Sequence, residues 1–321
     1  RLTKATTTAI GTMRRTNSPI GGRASILRTR KLCRFWWADV SGSLVHYQGD
    51  GLELTGEAFG DPAAAPVLFF HGGGQSRSAW RRSARIVGDA GYYGISFDLR
   101  GHGDSDWAAD GDYLLDAFGR DVETLLTQFS RPVTLVGASR GGQAALVGGS
   151  RHPAKVRLIM LADVAPMMRD EGVDGIRAFF AASEAGFATL DQAADALARH
   201  LHQPRMADTT RLAGAMRQDG SGCWHWRWDP ATGFAEFLHP PSEGEAVLAA
   251  AARVTSPIVL VRAELSHLLT DEGVARFQEL APQLQLVTAK GVGHMFTADR
   301  NDGFAAELLD WLERIAEGVV V

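Results

Sequence analysis

Ser139 is the residue of this chain best set up to do chemistry. It sits inside Gly137-Ala138-Ser139-Arg140-Gly141, a G-x-S-x-G pattern. The apolar run "VTLV" precedes it and the small-residue run "GGQAALVGG" follows it. A sharp strand-to-helix turn needs small flanking residues because its backbone is crowded. Such a turn lifts a serine Oγ to the N-terminus of a helix, where it can act as a nucleophile. A Gly-rich turn with an incidental serine fits the same residues, but the strand before and the helix after favour the nucleophile. Among the histidines, His200 and His202 have no partner at metal-ligand spacing, so no metal site is expected.

A second constellation is aromatic. Trp224, Trp226 and Trp228 alternate along "CWHWRWD", which puts all three on one side of an extended stretch. They fit either an apolar substrate pocket or a staple between two parts of the fold. Cys223, beside them, reads as a small filler. With Cys33 it makes two cysteines in 321 residues. That is no disulfide framework, and a reducing, cytoplasmic setting is expected.

The elements that must position these residues follow from hydrophobic patterning. The chain is 45% hydrophobic and 22% charged with net charge −4, which is an ordinary globular composition and gives no footprint for nucleic acid. No apolar run approaches the ~20 residues of a membrane span. The first 38 residues carry nine Lys or Arg and no acid. They cannot bury enough apolar surface to offset their ordering entropy, so residues 1–40 are expected to form a disordered tail outside the fold. "LVHYQGDGLELTGEAFG" reads as a hairpin. From "PVLFF" to "VRLIMLADVAP", apolar strands alternate with amphipathic helices, the pattern of a mostly parallel sheet with helices on both faces. The alternation stops after Pro166. A mainly helical insertion, residues 166–245, includes a short helix opening at Asp208. "SEGEAVLAAAARV" follows as a helix with Ser242 and Glu245 in capping-box spacing. Strand–helix alternation resumes with "SPIVLVRA" and "LQLVTA". The expected core is therefore 41–165 plus 246–321, an α/β architecture with an inserted helical cap.

Four segments at compatible spacing make the chain resemble the α/β-hydrolase fold family over residues 45–321: "FFHGGGQ" (69–75), "FDLRGHGDSD" (97–106), "GASRGG" (137–142) and "GVGHMFTADRND" (291–302). The resemblance, closest to capped serine esterases, implies Ser139 as nucleophile and His294 as general base, in the chain order serine, acid, histidine. It also implies an oxyanion hole made by the backbone N–H groups of Gly73 and Arg140. His71 and His102 fall in structural loops of the family and should bind backbone. An arginine after the nucleophile is unusual. It either binds a substrate carboxylate or pairs with a nearby aspartate.

The acid is displaced. The family carries it in the loop after the penultimate strand, and here "VRAELSHLL" puts His267 at that place. Asp163, just past the strand "LIMLA", is the first candidate to replace it. Glu264, three residues before His267, is the alternative acid, and Asp271, in the next helix, a further one. A chain with no acid also fits. The expected activity is hydrolysis of a small to medium acyl ester by a monomer or homodimer, with no cofactor. The serine sets aside the aspartate-nucleophile dehalogenases and epoxide hydrolases of the fold. Carbon–carbon bond hydrolysis, perhydrolysis as a side activity, and a ligand-binding protein with weak turnover stay open.

Overall fold

Apolar runs of five to seven residues become strands covered on both faces, and the helices between them supply the cover. The computed structural model describes residues 13–15, 42–164, 178–201, 204–232, 241–266, 268–293 and 302–319. Its strands are β1 (Met13–Arg15), β2 (Ser43–Gln48), β3 (Glu53–Phe59), β4 (Pro66–Phe70), β5 (Tyr93–Phe97), β6 (Val133–Ala138), β7 (Val156–Ala162), β8 (Met216–Gln218), β9 (Trp224–Trp226), β10 (Ile258–Ala263) and β11 (Leu284–Ala289). Its helices are α1 (Arg81–Asp89), α2 (Leu115–Thr127), α3 (Ser139–Arg151), α4 (Leu190–Leu201), α5 (Pro241–Arg253), α6 (Asp271–Leu280) and α7 (Asp302–Ala316).

The main sheet has the order β1-β11-β10-β7-β6-β4-β5-β3-β2. The strands from β11 to β5 are parallel, and the β2–β3 hairpin adds antiparallel to β5. Side chains alternate along each strand. Leu68 and Phe70 therefore join Ile95, Leu135, Ile159 and Leu260 under α2, α3, α5 and α6. Val67 and Phe69 join Val136, Met160 and Val261 under α1 and α7 on the opposite face. The expected α/β-hydrolase architecture is present.

Three details differ from the expectations. Met13–Arg15 of the basic tail pair antiparallel with β11, Met13 opposite Ala289. An edge strand offers unpaired backbone N–H and C=O groups to any extended segment whatever its side chains, so composition alone does not exclude such pairing. The short helix opening at Asp208 is a 3-10 helix, Thr209–Ala215, with the Asp208 side chain accepting from Thr210 N. It leads into an antiparallel hairpin, β8–β9. The alternating tryptophans suit a strand better than a helix. Finally, α5 spans Pro241–Arg253, so Ser242 and Glu245 both lie within the helix. Proline's fixed φ is favoured at that first position. The helix runs unbroken through 245 and 246, and its Val247, Ala250 and Ala251 lie in the core. Among the described residues no helix is long and apolar enough to cross a membrane.

Candidate active site

The site is built on the C-terminal ends of β6 and β7. Ala138 closes β6 in extended conformation, and Ser139 turns to φ 47° as the first residue of α3. Asp163 turns to φ 50° directly after β7. Ala138 and Ala162 are register partners, so the two residues that follow them leave neighbouring strands at the C-terminal end of the sheet. Among the described residues they are the only non-glycine residues with positive φ. Such backbone costs about 1–3 kcal/mol per residue and collects at functional sites.

The glycines explain how the turn closes. A Cβ on Gly137 would lie 2.5 Å from the Gly141 carbonyl oxygen, and one on Gly141 would lie 2.4 Å from that of His71. The first turn of α3 therefore packs backbone against backbone on the end of β4 and the loop beyond it. A Cβ on Gly72 would meet the Ser139 Cβ at 3.3 Å, which sets the "HGGG" loop beside the serine.

Two buried histidines hold that loop. His71 Nδ1–H donates to Gly72 O (2.7 Å), and its Nε2 accepts from Leu99 N (3.0 Å). His102 Nδ1–H donates to Arg100 O (2.9 Å), and its Nε2 accepts from Gly74 N (3.2 Å). Each ring thus carries its proton on Nδ1 and uses Nε2 as an acceptor. Burial pushes His71 down to about 4 and His102 to about 3, so both are neutral at neutral pH. Their expected role as backbone-binding residues matches these contacts. Gly72 O also accepts from Gln75 N (3.2 Å), and Gly72 N donates to Gln75 Oε1 (3.0 Å). With the Gly72 carbonyl held on that side, the N–H of Gly73 in the same trans peptide points the other way.

The three candidate acids occupy different environments. Asp163 is fully buried; its N–H donates to Val261 O (2.8 Å) and its Oδ1 accepts from Ala263 N (2.9 Å). Glu264 is exposed, and its Oε2 accepts from Gly291 N (2.8 Å). Asp271 lies in solvent at the start of α6, paired with Arg262 (2.5 Å). His267 and His294 lie outside the described residues, as do Cys33 and His202.

Arg140 pairs with a glutamate, where sequence pointed to an aspartate: its Nη1 meets Glu243 Oε2 at 2.7 Å, and both side chains are buried. A substrate-carboxylate role for its guanidinium does not fit a charge held in that pair. Trp226 and Trp228 stack at 5.4 Å between centroids, within a cluster that includes Phe180, Phe187, Leu212 and Met216. Trp224 is half-buried beside that cluster and exchanges backbone hydrogen bonds with Phe187. Trp228 and Phe180 reach the core: a Cβ on Gly74 would meet Phe180 Cζ at 2.6 Å and Trp228 Cζ3 at 3.4 Å. Cys223 is free and half-buried, not enclosed. His200 stacks on Phe179 at 4.5 Å, and no group of His, Cys, Asp or Glu among the described residues could hold a metal ion.

Sequence reading missed Glu243, Phe180 and Asp229. Asp229 Oδ2 accepts from the buried Tyr113 hydroxyl at 2.5 Å. None of the three lies in a recognisable motif.

Comparison with known proteins agrees with this architecture. A model of the alpha/beta hydrolase family matches residues 67–307. An esterase of Mycobacterium tuberculosis is 27% identical over 247 residues, 74% of this chain and 79% of that one. A non-heme chloroperoxidase of Kitasatospora aureofaciens is 38% identical over 132 residues, 40% of this chain and 47% of the relative, so the match spans about half of that protein. The solved structure of E-2-(acetamidomethylene)succinate hydrolase superposes with a TM-score of 0.74 at 22% identity, covering 85% of this chain and 99% of that one, a likeness of fold. With a family match over most of its length, on a sheet of this order, the chain belongs to the alpha/beta hydrolase family and is a hydrolase.

Proposed function

We propose that the protein is a serine carboxylesterase acting on a small to medium acyl ester through an acyl-enzyme. Ser139 attacks the ester carbonyl. His294 takes the hydroxyl proton and delivers it to the departing alkoxide, and Asp163 orients the imidazole and stabilises its charged form. Water then attacks the acyl-enzyme with His294 as base, releasing the acid and restoring Ser139. The Arg140 N–H lies in the first turn of α3, at the positive end of the helix. It and the Gly73 N–H serve the developing oxyanion. The inserted segment acts as a cap, and Trp228, with Phe180, forms its wall nearest the oxyanion loop.

The observation that carries this reading is the pair of left-handed residues, Ser139 and Asp163, on neighbouring strand ends. Burial supports Asp163 as the acid over the exposed Glu264, whose carboxylate already holds Gly291 N. With Asp163 in that role, His267 takes no place in the triad. Hydrolysis of p-nitrophenyl butyrate tests the assignment. Ser139→Ala should reduce turnover to background. Asp163→Asn should lower kcat by roughly 10⁴-fold, as removal of a triad acid does, and Glu264→Gln should leave it within a few-fold of wild type. An Asp163→Asn enzyme with wild-type kcat would sink the assignment of the acid.

A further inference from the structure

The buried pair Arg140–Glu243 is used by no step above, and its placement is specific. Glu243 stands in the first turn of α5, where the chain leaves the inserted segment and re-enters the core. Its Oε2 accepts from Arg140 Nη1 at 2.7 Å. Its Oε1 accepts from Leu115 N at 2.8 Å, at the start of α2. That helix has Leu114 at its N-cap and no side-chain cap of its own, so Glu243 supplies one from outside. The Arg140 guanidinium also lies over the Phe118 ring of α2, 5.7 Å from its centroid. One carboxylate therefore ties together the first turns of α2, α3 and α5. Arg140 is the residue after Ser139, and its own N–H is the oxyanion donor of the proposed mechanism.

We propose that Glu243 is a positioning residue for the oxyanion hole: through the Arg140 side chain it fixes the orientation of the Arg140 N–H against the ester carbonyl. This rests on the esterase reading. The geometry suits the task, because the side chain and the N–H belong to one residue in a helix turn already pressed against backbone. The guanidinium, held by Glu243, adds a restraint on the residue that carries that N–H. Removing the carboxylate from a buried ion pair is strongly destabilising locally, and a misplaced transition-state donor loses much of its effect.

Glu243→Gln keeps the acceptor for Leu115 N but removes the charge facing Arg140. Its expected effect is a fall in kcat for p-nitrophenyl butyrate of roughly 10- to 100-fold with KM within about twofold, because only transition-state binding is touched. The double variant Arg140→Met/Glu243→Gln removes both charges, so no buried cation is left facing the lost carboxylate. It should fold, with a melting temperature closer to wild type than that of Glu243→Gln, and still show the reduced kcat at unchanged KM. A double variant with wild-type kcat would overturn the proposal and leave the pair a purely structural tie. Fluorophosphonate labelling of wild-type Ser139 keeps the two claims apart: failure to label overturns the esterase reading itself, whereas normal labelling with an unaffected double variant overturns only the positioning role.

Discussion

At the scale of single residues, a left-handed backbone selects as strongly as a side chain does. Asparagine and aspartate tolerate φ near +50° because their short polar side chains bond locally, whereas β-branched residues do not. Asp163→Asn keeps that tolerance and an acceptor for Ala263 N, so it should fold normally while losing activity. Asp163→Val should instead lose stability, measured by urea denaturation. The buried histidines of the two glycine loops set a pH dependence. In the unfolded chain their rings titrate near 6.5; in the fold His71 is lowered to about 4 and His102 to about 3. Between these values the unfolded state binds more protons, so stability must fall as pH drops. The loss begins near pH 6.5 and is complete for each ring only below its folded value. Replacing His71 with glutamine should flatten the part of this slope due to that ring in a series of melts from pH 7 to pH 4.

At the scale of elements, the approach of α3 to the end of β4 is the contact that builds the site. A methyl group at Gly141 would meet two backbone carbonyl oxygens, those of His71 and Phe70, at 2.4 and 2.5 Å. Backbone on both sides cannot move aside cheaply. Gly141→Ala should therefore destabilise the protein by about 1–3 kcal/mol, the usual range for overpacking, whereas Gly220→Ala, which meets nothing within 4 Å, should be close to neutral. Chemical denaturation of the two variants checks this. The same contact shows why part of the site could be read in the sequence. Small residues flanking Ser139, and the apolar runs of strand length that become β6 and β7, are local signals. The partners of those elements are not local. Glu243 meets Arg140 across 103 residues and Asp229 meets Tyr113 across 116, and neither has a spacing or pattern that names its partner. The β8–β9 hairpin is half legible: the alternating tryptophans mark β9 as extended, whereas β8, three residues long, carries too few positions for a period to register.

At the scale of the whole molecule, residues 227–229 are fastened to the loop after β5. Asp229 N donates to Gly101 O (2.8 Å), Gly103 N donates to Arg227 O (2.7 Å), and Trp228 bridges to His102. Arg227 also pairs with Asp104, which Arg77 holds from the other side at 2.7 Å. Asp98 Oδ1 accepts from Arg77 N at 2.6 Å and its Oδ2 from Asp104 N at 2.9 Å. The loop that positions His102 is thus also the anchor of the segment above it. Tyr113→Phe removes the hydroxyl that donates to Asp229 and accepts from Ala108 N. Leaving such groups unpaired costs about 1–3 kcal/mol. The variant should melt earlier than wild type, and limited proteolysis should cut first within residues 204–232.

The central claim is that Ser139 is an activated nucleophile served by Asp163. Its most direct test is the rate of fluorophosphonate modification, with the adduct located by peptide mass spectrometry, in wild type and in Asp163→Asn. Wild type should give a rapid adduct on Ser139, and folded Asp163→Asn a much slower one. No adduct on Ser139 in folded wild-type protein, or an equal rate in the two proteins, would contradict it.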